Sequence, residues 1–101
     1  MTKTLSSRSR EVAEAIRDRV PFNTYGALRA EEIVHPYVHS GRLNEHETAD
    51  LNCDLPQIDY VVWSYSTPIA WHCEDGRWHR VAQKFSMTTS HHQGKLYLLG
   101  D

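Results

Sequence analysis

The chain has little cysteine, no excess of either charge and no long apolar run, and each shortage excludes a class of protein. Two cysteines in 101 residues, Cys53 and Cys73, cannot build the framework of a disulfide-stapled secreted domain, and both read as free thiols. Eleven basic against thirteen acidic residues give a net charge of -2, with no field to hold duplex nucleic acid or an anionic membrane. No stretch approaches the roughly 20 apolar residues of a membrane span. Residues 1–10 are rich in hydroxyls and bases without an apolar core, so no signal peptide is expected and the chain reads as cytoplasmic. Nucleophile elbow, Cys-His signature and glycine-rich oxyanion turn are all missing.

What is present is concentrated in one stretch. Ile58–Gln93 holds all three tryptophans and four of the seven histidines. The length fits one domain, with residues 1–57 mostly helix and loop and residues 58–99 a β-rich core. In the first part, Val12, Ile16 and Val20 recur every four residues, which predicts a helix over Arg10–Val20 capped by Ser6, Ser7 or Ser9 and stopped by Pro21. Phe22–Gly26 has turn chemistry, Ala27–Val34 allows two helical turns ended by His35-Pro36, and Leu43–Leu51 allows a short helix capped by Asn44.

In the second part, Ile58–Tyr65 carries β-branched and aromatic residues on both alternating faces, which predicts an inner strand covered on two sides. Asp75-Gly76 between Ile69–Glu74 and Arg77–Lys84 predicts a two-residue hairpin. That register pairs Cys73 with Trp78, His72 with His79 and Trp71 with Arg80. It makes Ile69, Trp71, Cys73, Trp78 and Ala82 a core face and leaves His72 and His79 on a wet one. The hydroxyl-rich segment from Ser86 to Gln93 suits a helix cap or turn, and Lys95–Leu99 fits either a strand or a last helical turn. The expected fold is α+β: an antiparallel sheet of three or four strands packed against one or two amino-terminal helices.

Candidate chemistry is thin. His72 and His79 are the leading metal pair, with Cys73, Glu74, His91 and His92 as completions, but the spacing matches no zinc module, so no metal or cofactor is assigned. A nucleophilic site would take Cys73 or one of Ser64, Ser66, Ser86 and Ser90, with His91 or His92 as base. Asp54, Asp59, Glu74 and Asp75 fall at loop-like positions where solvation is the default. The sheet aromatics Tyr60, Trp63, Tyr65, Trp71 and Trp78 could stack unpaired bases, or simply fill a small core.

Tyr60–His72 (YVVWSYSTPIAWH), the later Trp78, and Phe85–Gln93 (FSMTTSHHQ) resemble a family of small uncharacterised proteins of actinobacteria and their bacteriophages. Its pattern reads Y-x-V-x-S-Y-x-T-P-I-A-W, then W, then F/Y-S-x-T-T-S-x-H-Q. Phe22, Gly26, Ala27 and Leu28 are similar to an upstream segment of that family, and this chain departs from the pattern at Ser66 and His92. The resemblance implies a phage-type accessory protein and a linked polar unit of Ser64, Tyr65, Thr67, Thr88, Thr89, Ser90, His91 and Gln93. Three functions are therefore carried forward. The favoured one is a non-catalytic protein that binds and modulates a host protein, with Trp63, Tyr65, His72 and His79 as interface candidates. The others are a nucleic-acid-binding module using sheet aromatics and a small metal- or Ser/His-dependent enzyme. An edge strand over Arg77–Lys84 would also allow pairing of two copies.

Overall fold

The computed structural model describes residues 3–6, 10–34, 37–85 and 87–99. One six-stranded sheet runs in simple sequence order: β1 (Lys3–Leu5), β2 (Phe22–Thr24), β3 (Leu28–Glu32), β4 (Ile58–Ser64), β5 (Thr67–Cys73) and β6 (Trp78–Arg80). β1 and β2 are parallel and every other neighbour is antiparallel. Three helices accompany it: α1 (Arg10–Arg17), α2 (Glu45–Asp54) and α3 (Met87–Gly94). Short 3-10 segments follow α2 at Leu55–Gln57 and α3 at Lys95–Leu99.

This overturns the expected sheet of three or four strands. Residues 22–24 and 28–32 are strands rather than a turn and a helix, and Lys3–Leu5 adds a sixth. The helices are not all amino-terminal either, since α3 follows the last strand. Segments of three to five residues are too short to display a two-residue period, and Leu28–Glu32 becomes β through its partner: all five residues pair with β4.

The sheet is covered on both faces. Leu28, Ala30, Tyr60, Val62 and Ala70 pack with Val12, Ala15 and Ile16 of α1 and with Leu96 of the last segment. The alternate set, Val61, Trp63, Trp71 and Cys73, packs with Leu51 of α2 and Val38 of the loop before it. Successive strand residues point to opposite faces, so two layers of side chains sandwich β4 and β5. All seven residues of β5 are buried, which fits its run of apolar residues. Two bulges adjust the pattern: Asp59 is the unpaired residue between Ile58 and Tyr60, and Ile69 the one between Pro68 and Ala70.

The β5–β6 hairpin also differs from expectation. Its pairs are His72 with Trp78, Trp71 with His79 and Ala70 with Arg80, one residue away from the two-residue register. The loop is three residues long: Gly76 N donates to Cys73 O (2.9 Å), Cys73 N donates to Arg77 O (2.8 Å), and Gly76 takes φ 94. A turn followed by a left-handed glycine is the usual three-residue solution, and it uses the same Asp-Gly pair. The hydrophobic pattern could not decide the register because neither face is wet: His72 is buried, and His79 and Trp78 are half-buried.

Helix ends are chemically specified where they are described. Asn44 caps α2 by accepting from Glu47 N (2.8 Å), as its sequence position predicts. α1 stops before Pro21, because Val20 N donates to Ala15 O (2.8 Å) and Arg19 N to Ile16 O (3.1 Å). That pair of bonds places Arg19 in the left-handed region (φ 56) and aims it at the sheet. The proposed caps Ser7 and Ser9, the His35-Pro36 break and Ser86 lie outside the described residues. No helix among the described residues is long and apolar enough to cross a membrane.

Candidate functional site

Three polar constellations are built into this frame. The first lies on the α1 face. His72 Nδ1 donates to Asp59 Oδ1 (2.7 Å), and its Nε2 lies 3.4 Å from Arg19 Nη1. The bulge at Asp59 and the left-handed Arg19 thus aim both partners at one buried imidazole. Tyr60 OH closes this corner by donating to Val20 O (2.8 Å); burial, reinforced by Glu32, raises its pKa. Both ring nitrogens of His72 are engaged, so it acts as a structural link between α1 and the sheet.

The second lies on the α2 face. His79 Nε2 donates to Glu47 Oε1 (3.1 Å), and Ala82 N donates to Glu47 Oε2 (3.3 Å). The adjacent Trp71 donates from Nε1 to Asp54 Oδ2 (2.9 Å). His72 and His79 therefore face opposite sides of the sheet and cannot share a metal ion. His46, Glu47 and Asp50 do place potential ligand atoms within 4.8 Å of one another, but both Glu47 oxygens are already used. Cys73 is buried and its thiol is pushed up to about 11, by burial first and Asp54 second, which leaves it un-ionised.

The third is at the tight β4–β5 turn. Ser64 pairs with Thr67, leaving Tyr65 and Ser66 as a two-residue turn. Tyr65 takes φ 57 at the first turn position, where glycine is favoured. Gly41 (φ 55) rests directly on this turn: a Cβ there would collide with Ser66 O and come within 2.7 Å of Thr67 Cα. The contact brings the loop before α2 across the turn, and Arg42 N donates to Thr67 Oγ1 (3.0 Å). From the other side α3 closes in. Ser64 Oγ lies 3.0 Å from Thr89 Oγ1 and 2.7 Å from His92 Nδ1, all three side chains being buried. Burial, then the neighbouring His91, lowers the His92 pKa and favours its neutral form.

Between these pieces lies a cleft of about 300 Å³ lined by Arg42, Ser64, Tyr65, Thr67, Phe85, Thr88 and Thr89. Of the polar unit implied by the family pattern, Ser64, Tyr65, Thr67, Thr88 and Thr89 meet here. Gln93 instead donates to Val81 O (2.9 Å) and Gln83 O (3.1 Å), tying α3 to the segment after β6. Ser90 and His91 are exposed on the outer side of α3. The buried histidine is His92, which falls on the H of the pattern S-x-H-Q, so the extra histidine is the exposed His91 rather than His92 as expected. The spacing of His92 from Thr89 and Leu96, three and four residues, marks one helical face once this segment is known to be helix.

The interface candidates separate as well. Tyr65 is 58% exposed, while Trp63 is 5% and His72 5% exposed. Trp63 donates from Nε1 to Glu31 (3.1 Å) under the Arg29 guanidinium, and His79 stacks on Trp71, so neither ring is free to meet a partner face-on.

A two-sided α+β sheet carrying one small polar-aromatic cleft is the class this chain defines. Residues 6–99 match the family of unknown function DUF8033, and the chain belongs to that family. No curated protein and no solved structure matches it.

Proposed function

We propose that this protein is a non-catalytic, phage-type accessory protein, acting in the cytoplasm of a bacterial host, that binds and modulates a host protein through the β4–β5 cleft. The observation that carries the reading is Tyr65. A bulky residue held in the left-handed region costs stability, and its ring is spent on the outside, at the mouth of a cleft. Exposed tyrosine beside a small pocket is the usual form of an interface anchor. The base-stacking alternative loses its platform, since Tyr60, Trp63 and Trp71 are all buried.

The experiment is affinity capture from nuclease-treated bacterial lysate with tagged wild-type and Tyr65→Ala protein. A host protein retained at high salt by the wild type and lost from the variant supports the reading. Retention by both relocates the interface, and recovery only with nucleic acid rejects it.

A second reading has one observation in its favour, the 2.7 Å contact of Ser64 with His92 at the cleft wall. As a nucleophile, Ser64 would pass its proton to His92 while attacking an acyl carbon. Its 1% exposure and its second contact with Thr89 favour a structural role. Fluorophosphonate labelling of Ser64, abolished by His92→Ala, would reverse that preference.

A further inference from the structure

The cleft has a distinct electrostatic character. The cavity bounded by Asp18, Glu32 and Asp59 and the one bounded by Glu11, Glu14 and Asp18 each carry three carboxylates. The turn cleft carries none, and its lining includes one cation, Arg42. Four other guanidiniums are paired with carboxylates: Arg10 with Glu14, Arg17 with Asp18, Arg29 with Glu31, and Arg77 with Asp54 and Asp75. The Arg42 side chain is exposed and has no partner among the described residues. Its backbone, by contrast, is fixed at both ends, since Arg42 N donates to Thr67 Oγ1 (3.0 Å) and Arg42 O accepts from Gln83 Nε2 (3.0 Å). Arg42, its side chain exposed and without a partner among the described residues, thus lines a carboxylate-free, hydroxyl-bearing cleft from a pinned backbone.

We infer that the cleft receives an acidic peptide segment of the partner, its carboxylate taken by Arg42 and a neighbouring aromatic or aliphatic side chain set against Tyr65 and Phe85. The inference rests on the binding reading above and specifies its ligand. A planar guanidinium matches a carboxylate through two parallel N–H donors. Phosphate recognition uses clusters of arginine, and the cleft offers a single one. The volume of about 300 Å³ admits one or two side chains and sits at the small end for cofactor pockets. Thr88 and Thr89 line the cleft together with Tyr65 and Phe85, so it offers both polar and aromatic surface to such a ligand.

The test is selection of a random displayed peptide library on the intact, folded protein, followed by synthesis of the enriched peptides. Peptides with Asp or Glu next to an aromatic or aliphatic residue are expected. Arg42→Gln should weaken them at least about tenfold, and Arg42→Lys less, because it keeps the charge but loses the fork. Circular dichroism of each variant controls for folding. Enriched peptides that lack an acid, or that bind Arg42→Gln as well as wild type, would overturn the acidic assignment. If those same peptides are lost in Tyr65→Ala, the cleft remains the docking site and only the charge claim fails. Inorganic phosphate that displaces the selected peptides where acetate at equal concentration does not would also overturn it. A library that yields no cleft-binding peptide at all rejects a linear segment.

Discussion

The ring of Trp71 lies flat on that of His79, with centroids 4.4 Å apart and planes 12° from parallel. The far edge of that imidazole meets Glu47, so a tryptophan of β5, a histidine of β6 and a carboxylate of α2 form one continuous connection. Glu47→Ala removes the acceptor for His79 Nε2 and Ala82 N together. Leaving such donors unpaired costs about 2 kcal/mol, and Glu47→Gln, which keeps an oxygen, should cost less. Urea unfolding checks this: an unchanged midpoint for Glu47→Ala would show that water replaces the carboxylate without loss.

His92 sets a pH dependence. Its folded pKa is depressed below the histidine value of 6.5 by burial and by His91. As the pH falls through about 6.5 the unfolded chain takes up this proton before the folded one does. The contribution is therefore fully present above that value and lost progressively below it, until the folded imidazole is protonated as well. Thermal unfolding between pH 8 and pH 5 should lose stability more steeply in the wild type than in His92→Gln. Equal slopes would assign the acid sensitivity to other groups.

Tyr65 and Gly41 have opposite demands at the same turn. Tyr65→Gly relieves a left-handed residue that has a Cβ and is expected to stabilise the fold by about 0.5–1 kcal/mol while weakening partner binding. Gly41→Ala adds a Cβ at φ 55 against Ser66 O and Thr67, and is expected to cost about 2 kcal/mol or more. Denaturant titration of the pair reads both signs. A destabilised Tyr65→Gly would mean that the ring contributes packing its exposure does not reveal.

The two thiols should react differently. Cys53 is exposed on α2, while Cys73 is 1% exposed with its pKa raised to about 11. Ellman's reagent at pH 8 should report one thiol in the native protein and both in guanidinium. Rapid modification of both in the native state would place Cys73 on an opening segment.

Where the sequence was legible, a local interaction was decisive. Asn44 announces α2 because a cap needs only its own helix, and Ile58–Tyr65 reads as a doubly covered strand because both alternating sets are apolar. Lys3–Leu5 and Phe22–Thr24 are strands only by virtue of neighbours that adjoin them after folding. Asp75-Gly76 marks the hairpin but not its register, since the loop borrows Glu74 to become three residues long. The site shows the same division. The hydroxyls of Ser64, Thr67, Thr88 and Thr89 stand within the family pattern, while Arg42 sits more than twenty residues upstream in a polar loop with no local signal. The contact of Gly41 with the turn and the bond from Arg42 N to Thr67 Oγ1 carry Arg42 to the cleft.

The meeting of α1 with the final 3-10 segment has a consequence for how the chain is made. Val12, Ala15 and Ile16 share their core with Leu96 and Leu99, so the first helix waits for residues synthesised long after it. Until Leu96 has left the ribosome that side of the sheet stays open, whereas the α2 side can settle as soon as β4 to β6 and the following Val81 have emerged. The two faces of one sheet are thereby separated in time. A nascent chain stalled before Leu96 would expose the α1 face to whatever chaperone or protease is at hand.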